Sequence, residues 1–366
     1  MNFKLLAFLL VLVAAAFGFE KTVKLPELNQ VSQNQPVTTN IPKTEVIANN
    51  LEVPWALDFL PDGGIIFTER SGGVYLIDRF GNFHKDGLAK ISVKQTSESG
   101  LHGVAVHPDF DISNYIYLYY TYSSSSNDSL NRVSRFTFYK EKLIDEKIIV
   151  DKIPGAVNHD GGRIKFGPDG YLYITTGDAL NPSLSQDKNS LAGKILRIKE
   201  GEKVEIFSYG HRNPQGITWD KEGSLWAVEH GQSATDELNM IVAGRNYGWP
   251  TVRGDQTQTG LETPSLHSGS DTWAPAGLTE YNDSLFFGGL RGQALYQVEL
   301  HSDRQYKPGF RPNYELKTHF KGEFGRIRDV VLGPDNMLYI TTSNRDGRGN
   351  PSSGDDKIIR INPESL

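Results

Sequence analysis

Six times along the chain, an apolar run meets a tight-turn signal and is followed by a second run rich in Tyr, Ile, Leu and Thr. The stretches are DFLPDGGIIFTERSGGVYLID, AVHPDFDISNYIYLYYTYS, KFGPDGYLYITTGD, TWDKEGSLWAVEHG, LTEYNDSLFFGGLRGQALYQVEL and VLGPDNMLYITTSNRDG. Pro-Asp, Asp-Gly and Asn-Asp turns between runs of period-two alternation are hairpin chemistry. The units begin near Asp58, Ala105, Lys165, Thr218, Leu278 and Val331, so successive starts lie 47, 60, 53, 60 and 53 residues apart. That spacing holds four short strands and a loop. One such sheet cannot bury both faces alone, but six stacked around an axis can. The expected fold is therefore all-β: a six-bladed β-propeller built of four-stranded antiparallel sheets. A β-sandwich would explain the strands but not six similar units. The strand-like segment at 44–48 precedes the first unit, and its pairing within the last blade would close the ring and remove an edge. Helical character is expected only in SATDELNMIVAGRNYG, as a short helix or turn between Thr235 and Val242.

A ring over residues 42–366 leaves a leading segment to explain. MNFKLLAFLLVLVAAAFGFEK has one lysine before an apolar run from Leu5 to Phe17, with small residues Ala16 and Gly18 spaced for cleavage. The run is shorter than the roughly 20 residues of a spanning helix. Residues 1–18 are read as a signal peptide, with a retained anchor as the alternative, and 19–41 as a polar tether. The expected location is outside the cytoplasm, extracellular or periplasmic. The chain has no cysteine, which excludes thiol catalysis, thioether haem attachment and iron–sulfur ligation. Its net charge of -6 gives no electrostatic case for nucleic acid or anionic membranes.

Chemistry in a propeller sits in the loops near the axis, and three polar islands fall there. In NHDGGRIKFGPDGYLYITTGD, His159 and Asp178 bracket a hairpin, so they can be neighbours across its open end. A histidine held by a carboxylate has one fixed tautomer and one free nitrogen, as a general base requires, although a structural hydrogen bond would look the same. In YGHRNPQG, Arg212 and Asn213 offer donors side by side. Arg291, Arg326 and Arg328 occur in the last two units, the latter two sharing a strand face. Four arginines meeting at one axis would repel one another without a small polyanionic ligand; alternatively, each pairs with acids of its own blade. The third island, VEHGQSATDELNMIVAGRNYGWP, is rich in the hard oxygens that suit calcium but lacks EF-hand spacing. Trp249 and Trp273 lie near these islands and could cover a planar ligand or simply pack.

Taken in order, the blocks LHGVAVHPDF, NHDGGRIKFGPDGYLYITTGD, LAGKILRI, YGHRNPQG, DELNMIVAGRNYGWP and GRIRDV resemble the soluble quinoprotein sugar dehydrogenases, the glucose/sorbosone dehydrogenase-like family, and within it the PQQ-dependent aldose sugar dehydrogenases. The resemblance implies oxidation of the C1 hydroxyl of aldoses to the lactone, by hydride transfer to C5 of pyrroloquinoline quinone (PQQ). It makes His159 the base, oriented by Asp178, with Arg212 polarising the quinone. Asn213, His230, Arg291, Arg326 and Arg328 would complete the cofactor site. Backbone oxygens of Gly231 and Gln232 would hold a Ca2+ ion at the PQQ, and Glu237, Tyr247 and Asp255 a second, structural calcium. Glu98 and Asn158 stand where the family places residues near the sugar.

The chain departs from the glucose dehydrogenase branch at several of these positions. His230 replaces a glutamine, Gln232 a proline and Arg291 a lysine, and that branch's long insertions are absent. These differences imply a monomer with a broad aldose range extending to oligosaccharides, passing electrons to an external acceptor that the sequence does not identify. The competing readings are a calcium-dependent lactonase-type hydrolase on the same fold and a non-catalytic sugar- or protein-binding propeller.

Overall fold

The repeated Pro-Asp-Gly signals are turns of one kind. At 60–64, 167–171 and 333–337 the first residue donates its N–H to the carbonyl of the fifth (Leu60 to Gly64, Gly167 to Tyr171, Gly333 to Met337), each at 2.8 Å. The fourth residue is Gly63, Gly170 or Asn336, and all three have positive φ, which glycine and asparagine tolerate best. The turn aspartate accepts from the backbone two residues on, as in Asp62, Asp169 and Asp335. In the third and sixth units the same aspartate also accepts from a tyrosine of the following strand, Tyr173 or Tyr339.

The computed structural model describes residues 41–300 and 314–366, and the expected leader and nearly all of the tether lie outside them. Among the described residues the strands form six four-stranded antiparallel sheets. The first blade is Pro54–Phe59, Ile65–Glu69, Gly73–Ile77 and Phe83–Lys90. The second is Leu101–Val106, Tyr115–Ser123, Ser129–Tyr139 and Lys142–Pro154. The third is Ile164–Phe166, Leu172–Thr176, Lys194–Ile198 and Glu205–Tyr209, and the fourth Pro214–Trp219, Leu225–Glu229, Glu237–Ile241 and Leu266–His267. The fifth is Pro275–Tyr281, Ser284–Gly289, Ala294–Glu299 and Leu316–His319. The sixth combines Ile327–Leu332, Leu338–Thr342 and Ile358–Ile361 with Thr44–Ala48, so the N-terminal strand closes the ring as expected. No helix among the described residues is long and apolar enough to cross a membrane.

One expectation fails. Glu237–Ile241 is a strand, not a helix or turn. It is paired on both sides, with Leu225–Glu229 and with Leu266–His267, and it buries Leu238 and Ile241. Two ladders and this burial outweigh the weak local preference of Asp-Glu-Leu-Asn. The α-helix among the described residues, Phe110–Ser113, is a single turn in the second blade.

The first strand of each blade packs against that of the next, around the axis. The hydrophobic residues sort accordingly into six clusters, each between two neighbouring blades. Trp55 and Leu101 join the first two blades, for example, and Trp226 and Phe287 the fourth and fifth. Each large side chain so buried contributes about 1.5–3 kcal/mol.

The inner strands are also latched by carboxylates. Asp58 Oδ2 accepts Val106 N–H at 2.7 Å, joining the first blade to the second, and Asp329 Oδ2 accepts Leu57 N–H at 3.0 Å, joining the sixth to the first. Asp329 Oδ2 further pairs with Arg163 Nη1 at 2.9 Å. The ring thus has a charged plug beneath the loops that carry the polar islands.

Candidate active site

The residues that open the third blade's hairpin bring the first island together. Gly161 and Gly162 let the chain lie against the second strand: a Cβ on Gly161 would sit 2.6 Å from Thr175 O and 2.7 Å from Thr176 Cα. His159, just before them, is itself held at φ 63, a conformation L residues rarely adopt. The imidazole consequently faces Asp178 at the other end of the hairpin, with Nδ1 2.8 Å from Oδ1. The carboxylate is buried, and it also accepts Leu180 N–H at 3.0 Å and Trp249 Nε1–H at 2.9 Å. A carboxylate with these donors makes Nδ1 the protonated nitrogen and leaves Nε2 its lone pair. Arg212 Nη2 donates to that lone pair at 3.0 Å.

Trp249 has two roles here. It packs, and it orients Asp178; the guanidinium of Arg212 lies 5.4 Å from its ring centroid. Trp249→Phe removes one hydrogen bond to a buried carboxylate. It is expected to lower stability by about 1.5–3 kcal/mol and to slow turnover more than it weakens cofactor binding, as checked by urea melts and steady-state rates.

His159 opens onto a cavity of about 610 Å³, within the range of small-molecule sites. Its walls carry Arg212, Arg291, Arg326 and Arg328, the four arginines expected to converge, together with His230, Gly231, Gln232, Glu98 and Asn158. Asn213 does not line it. Asn213 is buried behind the wall, where its Oδ1 accepts Gly161 N–H at 3.0 Å and so fixes the glycine pair. Glu237 and Tyr247 line a much smaller adjoining pocket, while Asp255 lines neither and pairs with His267 at 3.0 Å. Among the described residues no three His, Asp or Glu side chains group as a metal cluster, so any ion here would rest largely on backbone oxygens.

Three contributors to this cavity carry no short-range signal in the sequence. Arg70 and Arg348 line it, as does Asp346. Asp346 Oδ2 accepts Arg326 Nε at 2.9 Å and lies 3.3 Å from Arg328 Nη2. The suggestion that these arginines pair within their own blade is thus half right: one carboxylate is shared by two guanidiniums. Burial would raise the Asp346 pKa, but Arg328 and Arg326 more than offset it and hold the group below the usual carboxylate range.

The charge balance points to an anion. Apart from the mutually paired Arg348 and Glu98 at its mouth, the cavity is lined by five arginines against the carboxylates of Asp236 and Asp346. Burial holds His230 neutral, lowering it to about 4, so an excess of three positive charges remains. Burial also pushes Arg328 down to about 10 and lowers Arg70 and Arg212, a cost that an anionic ligand would relieve. Arg212 Nε and Gln215 Oε1 are buried without a protein partner. This donor set fits a planar tricarboxylate such as PQQ. Gly231 N–H donates to Asp236 Oδ1 at 2.8 Å, and Gly231, Gln232 and Ser233 line the cavity.

Comparison with known proteins places this geometry. The family model for glucose/sorbosone dehydrogenase matches residues 51–350. An oxidoreductase of Thermus thermophilus, described as a glucose dehydrogenase, shares 41% identity over 87% of this chain and 98% of its own, with a TM-score of 0.79. The PQQ-bound aldose sugar dehydrogenase of Streptomyces coelicolor shares 34% identity with the same coverage and a TM-score of 0.78. The aldose sugar dehydrogenase of Escherichia coli is 31% identical over 90% of this chain and 94% of its own length.

Proposed function

Because the chain belongs to the glucose/sorbosone dehydrogenase family, and is a PQQ-dependent quinoprotein oxidoreductase of aldose sugars, we propose that His159 is the base that takes the proton of the sugar's C1 hydroxyl. The observation that carries this reading is a tautomer-fixed histidine facing a cavity with three excess positive charges. PQQ, when bound, supplies an electrophilic quinone carbon, C5, that accepts the hydride from C1. The proton goes to His159 Nε2, the sugar becomes the lactone, and an external acceptor later removes the two electrons. A substrate hydroxyl reaches Nε2 by replacing Arg212 as its donor. Asp178 keeps the ring oriented and stabilises the imidazolium as it forms. Arg291, Arg326 and Arg328 would hold the cofactor carboxylates, and Arg212 and His230 would stand beside the quinone; Asn213 acts through the glycine turn. Glu98 and Asn158 would meet the sugar.

The backbone oxygens of Gly231 and Gln232 would hold a calcium ion that fixes the cofactor, and Glu237, Tyr247 and Asp255 a structural one. We read the 42–366 ring as a monomeric catalytic unit, exported behind the 1–18 leader and acting on a range of aldoses and oligosaccharides. A calcium lactonase would need acidic ligands gathered at the axis. Here the axis carries Arg163 paired with Asp329, and half-buried Lys165 beside Asp58.

Protein reconstituted with PQQ and Ca2+ is expected to reduce a redox dye with several aldoses. Treatment with a calcium chelator is expected to abolish that activity, and added Ca2+ to restore it. Activity that survives chelation would remove calcium from the account, and lactone hydrolysis without quinone would favour the hydrolase.

A further inference from the structure

Arg348 belongs to neither the guanidinium pair on Asp346 nor the His159–Asp178 pair. It stands on the sixth blade's loop after Leu338–Thr342, its N–H fixed by Asp346 Oδ1 at 2.9 Å. Its side chain reaches across the cavity mouth to two other loops. One guanidinium nitrogen pairs with Glu98, on the link between the first and second blades. The other donates to Asn158 Oδ1 at 3.3 Å, on the link between the second and third. Ser97 Oγ donates to the same Asn158 oxygen at 2.8 Å, and His159 N–H points to Glu98 Oε2 at 3.4 Å. The Glu98 loop is anchored from below, its carbonyl 3.0 Å from Nε2 of buried His102.

We propose that Arg348 and Glu98 form a substrate-selecting clamp, the guanidinium donating to and the carboxylate accepting from the sugar hydroxyls on C2 and C3. This rests on the dehydrogenase reading above. The clamp lies beside the base because Glu98 touches the His159 backbone and Asn158 precedes it in the chain, so a sugar with C1 at Nε2 presents its neighbouring hydroxyls there. A guanidinium and a carboxylate side by side match a vicinal diol, in which each hydroxyl both donates and accepts. Arg348 is 52% exposed, against 8% for Arg326. Glu98 is the more enclosed partner at 22% exposed, so the solvated Arg348 side chain can swing aside for a ligand while Glu98 stays in place.

The test uses the PQQ- and calcium-loaded full chain. Arg348→Ala is expected to raise KM for glucose about 10-fold or more while kcat changes less than about 3-fold, and to leave the PQQ titration unchanged. With 2-deoxyglucose, the KM penalty of the substitution is expected to shrink to less than about 2-fold. Arg348→Lys, which keeps charge but not the fork, should fall between. Calorimetry with 1,5-anhydroglucitol, which cannot be oxidised at C1, should show the same weakening without turnover. An unchanged KM for glucose, an equal penalty with 2-deoxyglucose, or weakened PQQ binding would each overturn the clamp. If the wild type oxidises no aldose, the dehydrogenase reading fails instead, and the calorimetric arm still decides the clamp.

Discussion

A His159→Ala protein is expected to oxidise aldoses about 10²–10⁴-fold more slowly than wild type, with PQQ still binding at one equivalent. The size of the effect follows from the geometry. Asp178 fixes the proton on Nδ1, so Nε2 keeps its lone pair and can accept the sugar's proton. The nearest other nitrogen, on Arg212, is a cation and cannot accept a proton. Arg326 and Arg328, proposed to hold the cofactor carboxylates, are positioned by Asp346 of the sixth blade, and those contacts do not pass through the imidazole. Rapid-mixing rates under saturating sugar, set beside an optical PQQ titration, separate the two quantities. Equal loss of turnover and cofactor binding would make His159 a structural residue.

The second large effect concerns the ring itself. Asp329→Ala is expected to lower stability by about 3–5 kcal/mol, read as a fall in the urea midpoint. Asp329 is almost fully buried and holds Arg163, Leu57 N–H and Val330 N–H. Its removal leaves the Arg163 guanidinium, itself buried against the face of Trp55, without its anion. The cost is that of an unpaired buried charge rather than the worth of the pair. A double variant that also replaces Arg163 with methionine should therefore recover much of the loss. If Asp329→Ala melts like wild type, the axial latch is not a source of stability.

Much of this molecule was legible in the sequence because its fold is repetitive and its turns are chemical. The Asp-Gly and Asp-Asn turns announce themselves by residue type, and the spacing of the units counts the blades. The His159–Asp178 pair was legible for the same reason: a short hairpin brings its two ends together whatever surrounds it. The convergence of arginines followed once the blades were arranged around an axis. What stayed hidden depends on loops from different blades. Asp346 and Arg348 lie in NRDGRGN, which reads as an ordinary polar loop, and the partners Glu98 and Asn158 are 250 and 190 residues away. Arg70 follows directly on the second strand of the first blade, and nothing local separates it from a surface charge. The strand at Glu237–Ile241 was missed because its two neighbours, not its composition, decide its conformation. Asn213 was placed in the neighbourhood but on the wrong side of the wall: its amide serves the backbone of Gly161.

The central claim is that a fixed imidazole and a cluster of arginines from different blades serve one flat, anionic redox ligand. Its most direct test is a single anaerobic turnover. The calcium-loaded protein is titrated with PQQ to one equivalent, and an aldose is then added without any electron acceptor. The expected result is a stoichiometric bleaching of the oxidised quinone spectrum, with one lactone formed per protein. A protein that fails to bind PQQ at one equivalent, or whose bound quinone spectrum is unchanged by every aldose, would contradict it.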